Sequence, residues 1–195
     1  MRSRRTVFLL GALCLVAASA VSAAAQASRQ YVQGQVVGIG SRRAGLNRSF
    51  SLTINSYTSA ADVQSLNEAL RRGGQDELMS ALSKLNAGRV SIGNNVGVRA
   101  NAVIATPAAE GGTKLTVLYE RDVAIFERRY GTRSQDYRFG YAEIYLDARG
   151  RGQGTFIPAA KVKLEGDNNW VVEDFGEFPA RLLGLRSTGR VGGAR

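Results

Sequence analysis

Residues 137–164 read YRFGYAEIYLDARGRGQGTFIPAAKVKL, and two strands joined by a tight turn are written into them. From Tyr137 onward the odd positions carry Tyr137, Phe139, Tyr141, Glu143 and Tyr145; the even ones include Ala142, Ile144 and Leu146. A β-strand sends alternate side chains to opposite faces, so one face is aliphatic and the other aromatic with a single carboxylate. Asp147-Ala148-Arg149-Gly150 fits a type I turn closed by a glycine bulge. Pairing Asp147 with Arg151 sets Glu143 opposite Thr155, Tyr141 opposite Ile157 and Tyr137 opposite Lys161. On that register Ile144, Leu146, Phe156, Val162 and Leu164 share one core. Gly150, Gly152 and Gly154 are spaced like a phosphate loop, but the strand Thr155-Phe156-Ile157 follows where a helix is needed.

The same texture extends on both sides. Glu110-Gly111-Gly112-Thr113 and Glu165-Gly166-Asp167-Asn168 are further turn signals, dividing residues 96–176 into a meander of about five strands. Upstream, Phe50, Leu52 and Ile54 alternate with Ser49, Ser51, Thr53 and Asn55, which predicts a strand with one buried face over 48–57. Tyr31 to Ile39 is its expected partner. Between the hairpin and the meander, Ser59-Ala60-Ala61-Asp62 reads as a capping box opening a helix along Val63, Leu66 and Leu70. Gly73-Gly74 is expected to end it. A second helix from Asp76 to Leu85 is apolar at Leu78, Met79, Leu82 and Leu85. The expected fold is α+β: a curved antiparallel β-sheet of roughly six to eight strands, closed as a barrel or left open, with one inserted αα-hairpin. A two-sheet sandwich is the alternative.

The N-terminus predicts export. Arg2, Arg4 and Arg5 precede an apolar run from Val7 to Val21, and small residues continue to Ala27, the plan of a secretory signal peptide. Ala25-Gln26-Ala27 fits the cleavage rule, with cuts after Ala23 or Ala25 as alternatives, and an uncleaved anchor is the competing reading. Arg4-Arg5 also fits a twin-arginine signal, although the general secretory route is the simpler expectation. Residues 1–27 are thus the expected signal peptide, 28–186 one α+β domain and 187–195 a disordered Gly/Arg-rich tail. The destination is the periplasm or the extracellular space, with membrane contact only through the signal segment before cleavage.

Composition then excludes most active-site chemistry. The chain has no histidine, and its one cysteine, Cys14, lies in the signal segment. Ser–His–Asp triads, cysteine nucleophiles and zinc or copper sites of His and Cys are therefore absent, and no disulfide can staple the exported domain. A Ser–Lys dyad has only Lys84, Lys114, Lys161 and Lys163 to draw on. Glu120 and Asp122, with Glu143 as a distant partner, leave a carboxylate-dependent hydrolase acting on polysaccharide as the alternative function. Glu165, Asp167, Glu173, Asp174 and Glu177, with Asn168 and Asn169, lack the spacing of a calcium loop and read as an acidic turn. No metal and no cofactor are expected.

Basic residues outnumber acidic ones, 26 to 16, for a net charge of +10. Arginine favours planar anionic partners, but these charges are scattered, and no nucleic-acid motif accompanies them. The favoured reading is a non-catalytic domain that binds or scaffolds an anionic or glycan ligand of the envelope or extracellular space. Its candidate residues are Tyr137, Tyr141, Glu143 and Tyr145 on the aromatic face, beside Arg128, Arg129, Arg133 and Arg138. The opposing reading makes that face a second core layer under the helices, with Glu143 paired to an arginine.

Ser65-Leu66-Asn67-Glu68-Ala69-Leu70, Gly73-Gly74-Gln75-Asp76, Gly140-Tyr141-Ala142-Glu143-Ile144 and Asp174-Phe175-Gly176 resemble a family of uncharacterised bacterial exported domains of unknown function. The resemblance spans residues 48–186. It implies a bacterial exported domain and brings no catalytic or binding residue with it.

Overall fold

The computed structural model describes residues 29–38, 47–121, 136–166, 169–174 and 179–188. The expected signal peptide, and Arg128, Arg129, Arg133 and Asp122, lie outside them.

The alternation at Phe50, Leu52 and Ile54 does what the spacing predicts. All three are buried on β2 (Asn47–Ile54), which pairs antiparallel with β1 (Gln30–Val37). Helix α1 follows at Ala60–Leu82, and Ser59 caps it by accepting the Asp62 amide at 3.1 Å. Then come β3 (Gly88–Ile92), β4 (Val98–Ala100), β5 (Ala102–Pro107) and β6 (Thr113–Glu120). The chain finishes with β7 (Phe139–Leu146), β8 (Arg151–Glu165), β9 (Asn169–Asp174) and β10 (Ala180–Thr188). Among the described residues the ten strands form one sheet in the order β4-β3-β2-β1-β10-β8-β7-β6-β5, with β9 beside β8. Strands β5 to β9 are the expected five-strand meander, and the three turn signals join its neighbours. At Asp147–Gly150 the Asp147 amide donates to the Arg151 carbonyl, and Gly150 takes φ 73°.

Several expectations are corrected. There is one sheet rather than a sandwich, it has ten strands rather than six to eight, and its hydrogen-bonded order does not close into a barrel. In place of an αα-hairpin, two helical segments within Ala60–Leu82 meet at a kink, where Gly73 and Gly74 leave helical φ/ψ. The glycines interrupt the helix where the stop is expected, Gly74 taking φ 65° and ψ −139°, and Gln75 is clamped to the sheet immediately afterwards. Its side-chain amide donates to the Val162 carbonyl at 2.5 Å and accepts the Val162 amide at 3.1 Å. β10 also claims Ser187 and Thr188, which pair with Val32 and Tyr31 of β1 rather than starting a tail.

A further correction concerns the core. The register predicted across the Asp147 turn holds: Glu143 faces Thr155 and Tyr141 faces Ile157. It breaks further along, because Phe139 faces Ala160, leaving one residue of β7, Gly140, against two of β8, Pro158 and Ala159. The break falls at Pro158-Ala159, and proline, which cannot donate to a ladder, is at home in a bulge. An extra residue flips every later side chain. Phe156 therefore joins Ile144 and Leu146 on the inner face, while Val162 and Leu164 turn to the outer face beneath α1. It also shifts Tyr137, which lies before β7, away from Lys161.

Two apolar clusters result. The inner one takes residues from every strand except β9, including Val32, Phe50, Leu52, Val103, Val117 and Leu182. The outer one packs Leu66, Leu70, Leu78 and Leu82 of α1 on Leu118, Phe139, Ile157 and Val162. Among the described residues no helix is long and apolar enough to cross a membrane.

Asn101, 3 % exposed, sits between β4 and β5. Its amide donates to the carbonyls of Leu82 (3.1 Å) and Leu85 (3.4 Å), and its oxygen accepts the Glu120 amide at 3.1 Å. Asn101→Ala removes the side-chain partner of the Leu85 carbonyl and of the Glu120 amide, and a second donor from the Leu82 carbonyl, which also accepts the Leu85 amide. We expect a loss of about 2–3 kcal/mol in chemical denaturation, against less than about 0.5 kcal/mol for the exposed Glu68→Ala.

Candidate functional site

The outward face of β7 carries Tyr141, Glu143 and Tyr145 in succession. On β6 they stand opposite Leu118, Thr116 and Lys114, and on β8 opposite Ile157, Thr155 and Gln153. Helix α1 covers the start of this row and leaves the end open, so the face changes character along its length. Phe139 is fully buried and Tyr141 is 6 % exposed, whereas Tyr145 is 45 % exposed. The expected second core layer is therefore real at Phe139 and Tyr141, and the open aromatic surface is real at Tyr145.

Glu143 stands on the boundary and organises what surrounds it. Its carboxylate accepts the Tyr141 hydroxyl at 2.9 Å and the Tyr145 hydroxyl at 2.6 Å, and pairs with Lys114 Nζ at 2.7 Å. The same ammonium lies 5.6 Å from the Tyr145 ring centre, in cation–π range. Partial burial pushes the Glu143 carboxyl upward, but the Lys114 ammonium and both phenols outweigh it and hold the group below its ordinary value. Burial likewise pushes Lys114 down and Glu143 more than restores it, leaving the ammonium above its ordinary value. Burial first, and Glu143 next, keep the Tyr141 hydroxyl well above its usual range. The cluster is one carboxylate, one ammonium and two neutral phenols, with the two charges cancelling.

Beside it lies an open groove of about 440 Å³ lined by Pro107, Lys114, Tyr145, Asp147, Arg151 and Gln153. Asp147 accepts the backbone amides of Arg149 and Arg151, both at 2.8 Å, which depress its carboxyl and fix it in the turn. The groove therefore presents an exposed aromatic plate, an amide, a guanidinium, an ammonium and one held carboxylate.

The other predicted residues are elsewhere. Arg138 pairs with Asp76 on α1, and the Tyr137 hydroxyl donates to Glu173 on β9 at 2.6 Å. Both belong to the opposite end of β7. Arg128 and Arg129 lie outside the described residues. Lys114, rather than an arginine, is the partner of Glu143. Glu120 stands four residues along β6 from Thr116, hence about 13 Å from Glu143. Carboxylate pairs of glycosidases stand roughly 5–9.5 Å apart. Lys163 is paired with Glu173 at 2.6 Å, and no group of three or more metal-ligating side chains occurs among the described residues.

No family model, curated protein or solved structure matches the chain. The site accordingly stands on its own geometry.

Sequence reasoning missed Lys114 and Gln153. Gln153 was within reach, because the Asp147 turn sets its register against Tyr145. Lys114 was not, because residues 121–138 separate β6 from β7 and no tight turn sets that pairing.

Two outcomes follow from the graded burial and the shifted carboxyl. Tyr141→Ala should cost about 3 kcal/mol in denaturant unfolding, while Tyr145→Ala should cost less than about 1 kcal/mol. A carboxyl held below its unfolded value stabilises the fold above that value and loses its contribution as pH falls through the folded one. The melting temperature of Glu143→Gln should therefore fall less than that of wild type between pH 6 and the acid limb, as a calorimetric pH series would show.

Proposed function

We propose that the chain is a non-catalytic binding domain, exported to the cell envelope or beyond, that holds a glycan at the groove beside Tyr145. One observation carries this reading: the half-exposed Tyr145 ring is pinned by Glu143 and Lys114 at the lip of a groove that also offers Gln153 and Arg151. A sugar presents an apolar ring face and a rim of hydroxyls. A fixed phenol ring matches the first, and an amide, a guanidinium and a carboxylate match the second. Because Tyr145 is already held, little side-chain entropy is lost when a ligand stacks on it.

The local charges favour a neutral sugar over a polyanion. Lys114 is neutralised by Glu143, and Arg151 shares its turn with Asp147. The chemistry is equally quiet. Glu143 is held ionised and Lys114 protonated, so the first is a poor general acid and the second a poor general base at neutral pH.

Co-sedimentation of the purified chain with insoluble chitin, cellulose and peptidoglycan tests the reading. We expect retention on at least one polymer, reduced at least tenfold in Tyr145→Ala with an unchanged melting temperature, and resistant to salt. Equal retention by Tyr145→Ala, or retention abolished by salt, overturns it. Release of soluble sugar that disappears in Glu143→Gln would establish a hydrolase instead.

A further inference from the structure

The inner face of the sheet holds a second and larger cavity, about 570 Å³, at the end from which β1, β3 and β6 leave. Its walls are apolar along Val36, Val90, Ile92, Val98 and Phe156. The β6 wall differs, because Tyr119 and Arg121 both line it.

Tyr119 is the informative residue. It is 5 % exposed, and its hydroxyl has no hydrogen-bond partner among the described residues. Burial alone drives that hydroxyl well above the ordinary tyrosine value. A buried phenol normally finds a partner, and leaving one unsatisfied is costly. The ring is nonetheless held in place. It lies over Gly140, directly opposite on β7, and any side chain at Gly140 would collide with it. A phenylalanine would fill the same space without the penalty, so the hydroxyl needs a reason to be there. Two residues along β6, and so about 7 Å away on the same face, Arg121 brings a guanidinium to the cavity. That guanidinium is oriented by its Nε donating to the Tyr137 carbonyl at 2.6 Å.

We propose that this cavity binds an unbranched carboxylic acid, its hydrocarbon chain against the valines and Phe156 and its carboxylate at the β6 wall. The Tyr119 hydroxyl then gains the acceptor it lacks, and Arg121 supplies the opposite charge. The volume lies within the range of small-molecule sites, and the apolar lining suits an alkyl chain. This site is separate from the Tyr145 groove, which opens on the outer face of the sheet, and does not depend on that reading.

The test uses palmitate and its methyl ester, titrated calorimetrically into the purified, lipid-stripped chain. We expect palmitate to bind and to raise the melting temperature, and the ester to bind at least tenfold more weakly. Tyr119→Phe should weaken palmitate about tenfold while raising the melting temperature of the free protein by about 2 °C or more, because it removes an unsatisfied hydroxyl. Val98→Trp, which fills the cavity, should abolish binding. No binding by wild type, unchanged affinity in either variant, or equal affinity for the ester overturns the proposal. So does a Tyr119→Phe chain that melts lower than wild type, since its hydroxyl would then be satisfied within the protein.

Discussion

The handover at Asn101 is the constraint on which the rest of the structure depends. One short run of chain, residues 98–107, pairs with β3 before Asn101 and with β6 after it. These are the two ends of the hydrogen-bonded order, so a ten-stranded sheet is tied end to end by a covalent link rather than by a ladder. A sheet tied in this way has to curve, and curvature gives it an inside. Asn101 holds the crossing by bonding the end of α1 and the end of β6 simultaneously. A buried amide with both ends satisfied specifies a position in a way that an apolar side chain cannot.

Curvature divides the molecule into two environments, and the bulge at Pro158-Ala159 decides which part of β8 belongs to each. Before it, Phe156 faces the inner cluster; after it, Ala160 and Val162 face α1. The helix could not dock without this flip, because an uninterrupted β8 would turn Val162 inward. Once α1 is seated, it covers Phe139 and Tyr141 and stops short of Tyr145. The open groove is thus what remains of an aromatic face after the helix has buried the other end. The inner cavity has a matching origin, at the open end of a curved sheet whose two end strands are linked in the chain through Asn101.

What was legible in the sequence was whatever local chemistry specifies. The Asp147–Gly150 turn carries its own register, so Glu143 against Thr155 is readable from the residues alone. The Phe50, Leu52, Ile54 alternation and the Ser59 cap were legible for the same reason. What escaped depended on partners distant in the chain. β10 has its alternation interrupted between Leu182 and Leu185, where its pairing with β8 shifts register, so period-two reading fails there. The Gly73-Gly74 pair interrupts the helix as its residues indicate, whereas the Gln75 clamp on Val162 that follows is a tertiary contact no local pattern carries. Tyr119 carries no local pattern that would single it out. Its meaning lies in what it fails to touch, and no residue pattern reports that.

The lack of histidine and the single cysteine then acquire a structural sense. With no disulfide to form, the fold has to be held by its two apolar clusters and a few buried polar groups, and those groups fall into two kinds. The Asn67 oxygen accepts the Trp170 indole N–H at 2.6 Å, tying α1 to β9, and Asn101 ties α1 to β6. Each of these makes its bonds within the protein and works as a fastening. The Tyr119 hydroxyl makes none among the described residues, yet its ring is seated on a glycine as firmly as any core side chain. A polar atom positioned with such care and left without a protein acceptor has the character of a recognition group rather than a fastening. In a chain stripped of the usual catalytic residues, that contrast between satisfied and unsatisfied buried groups is the most direct physical pointer to where a ligand belongs.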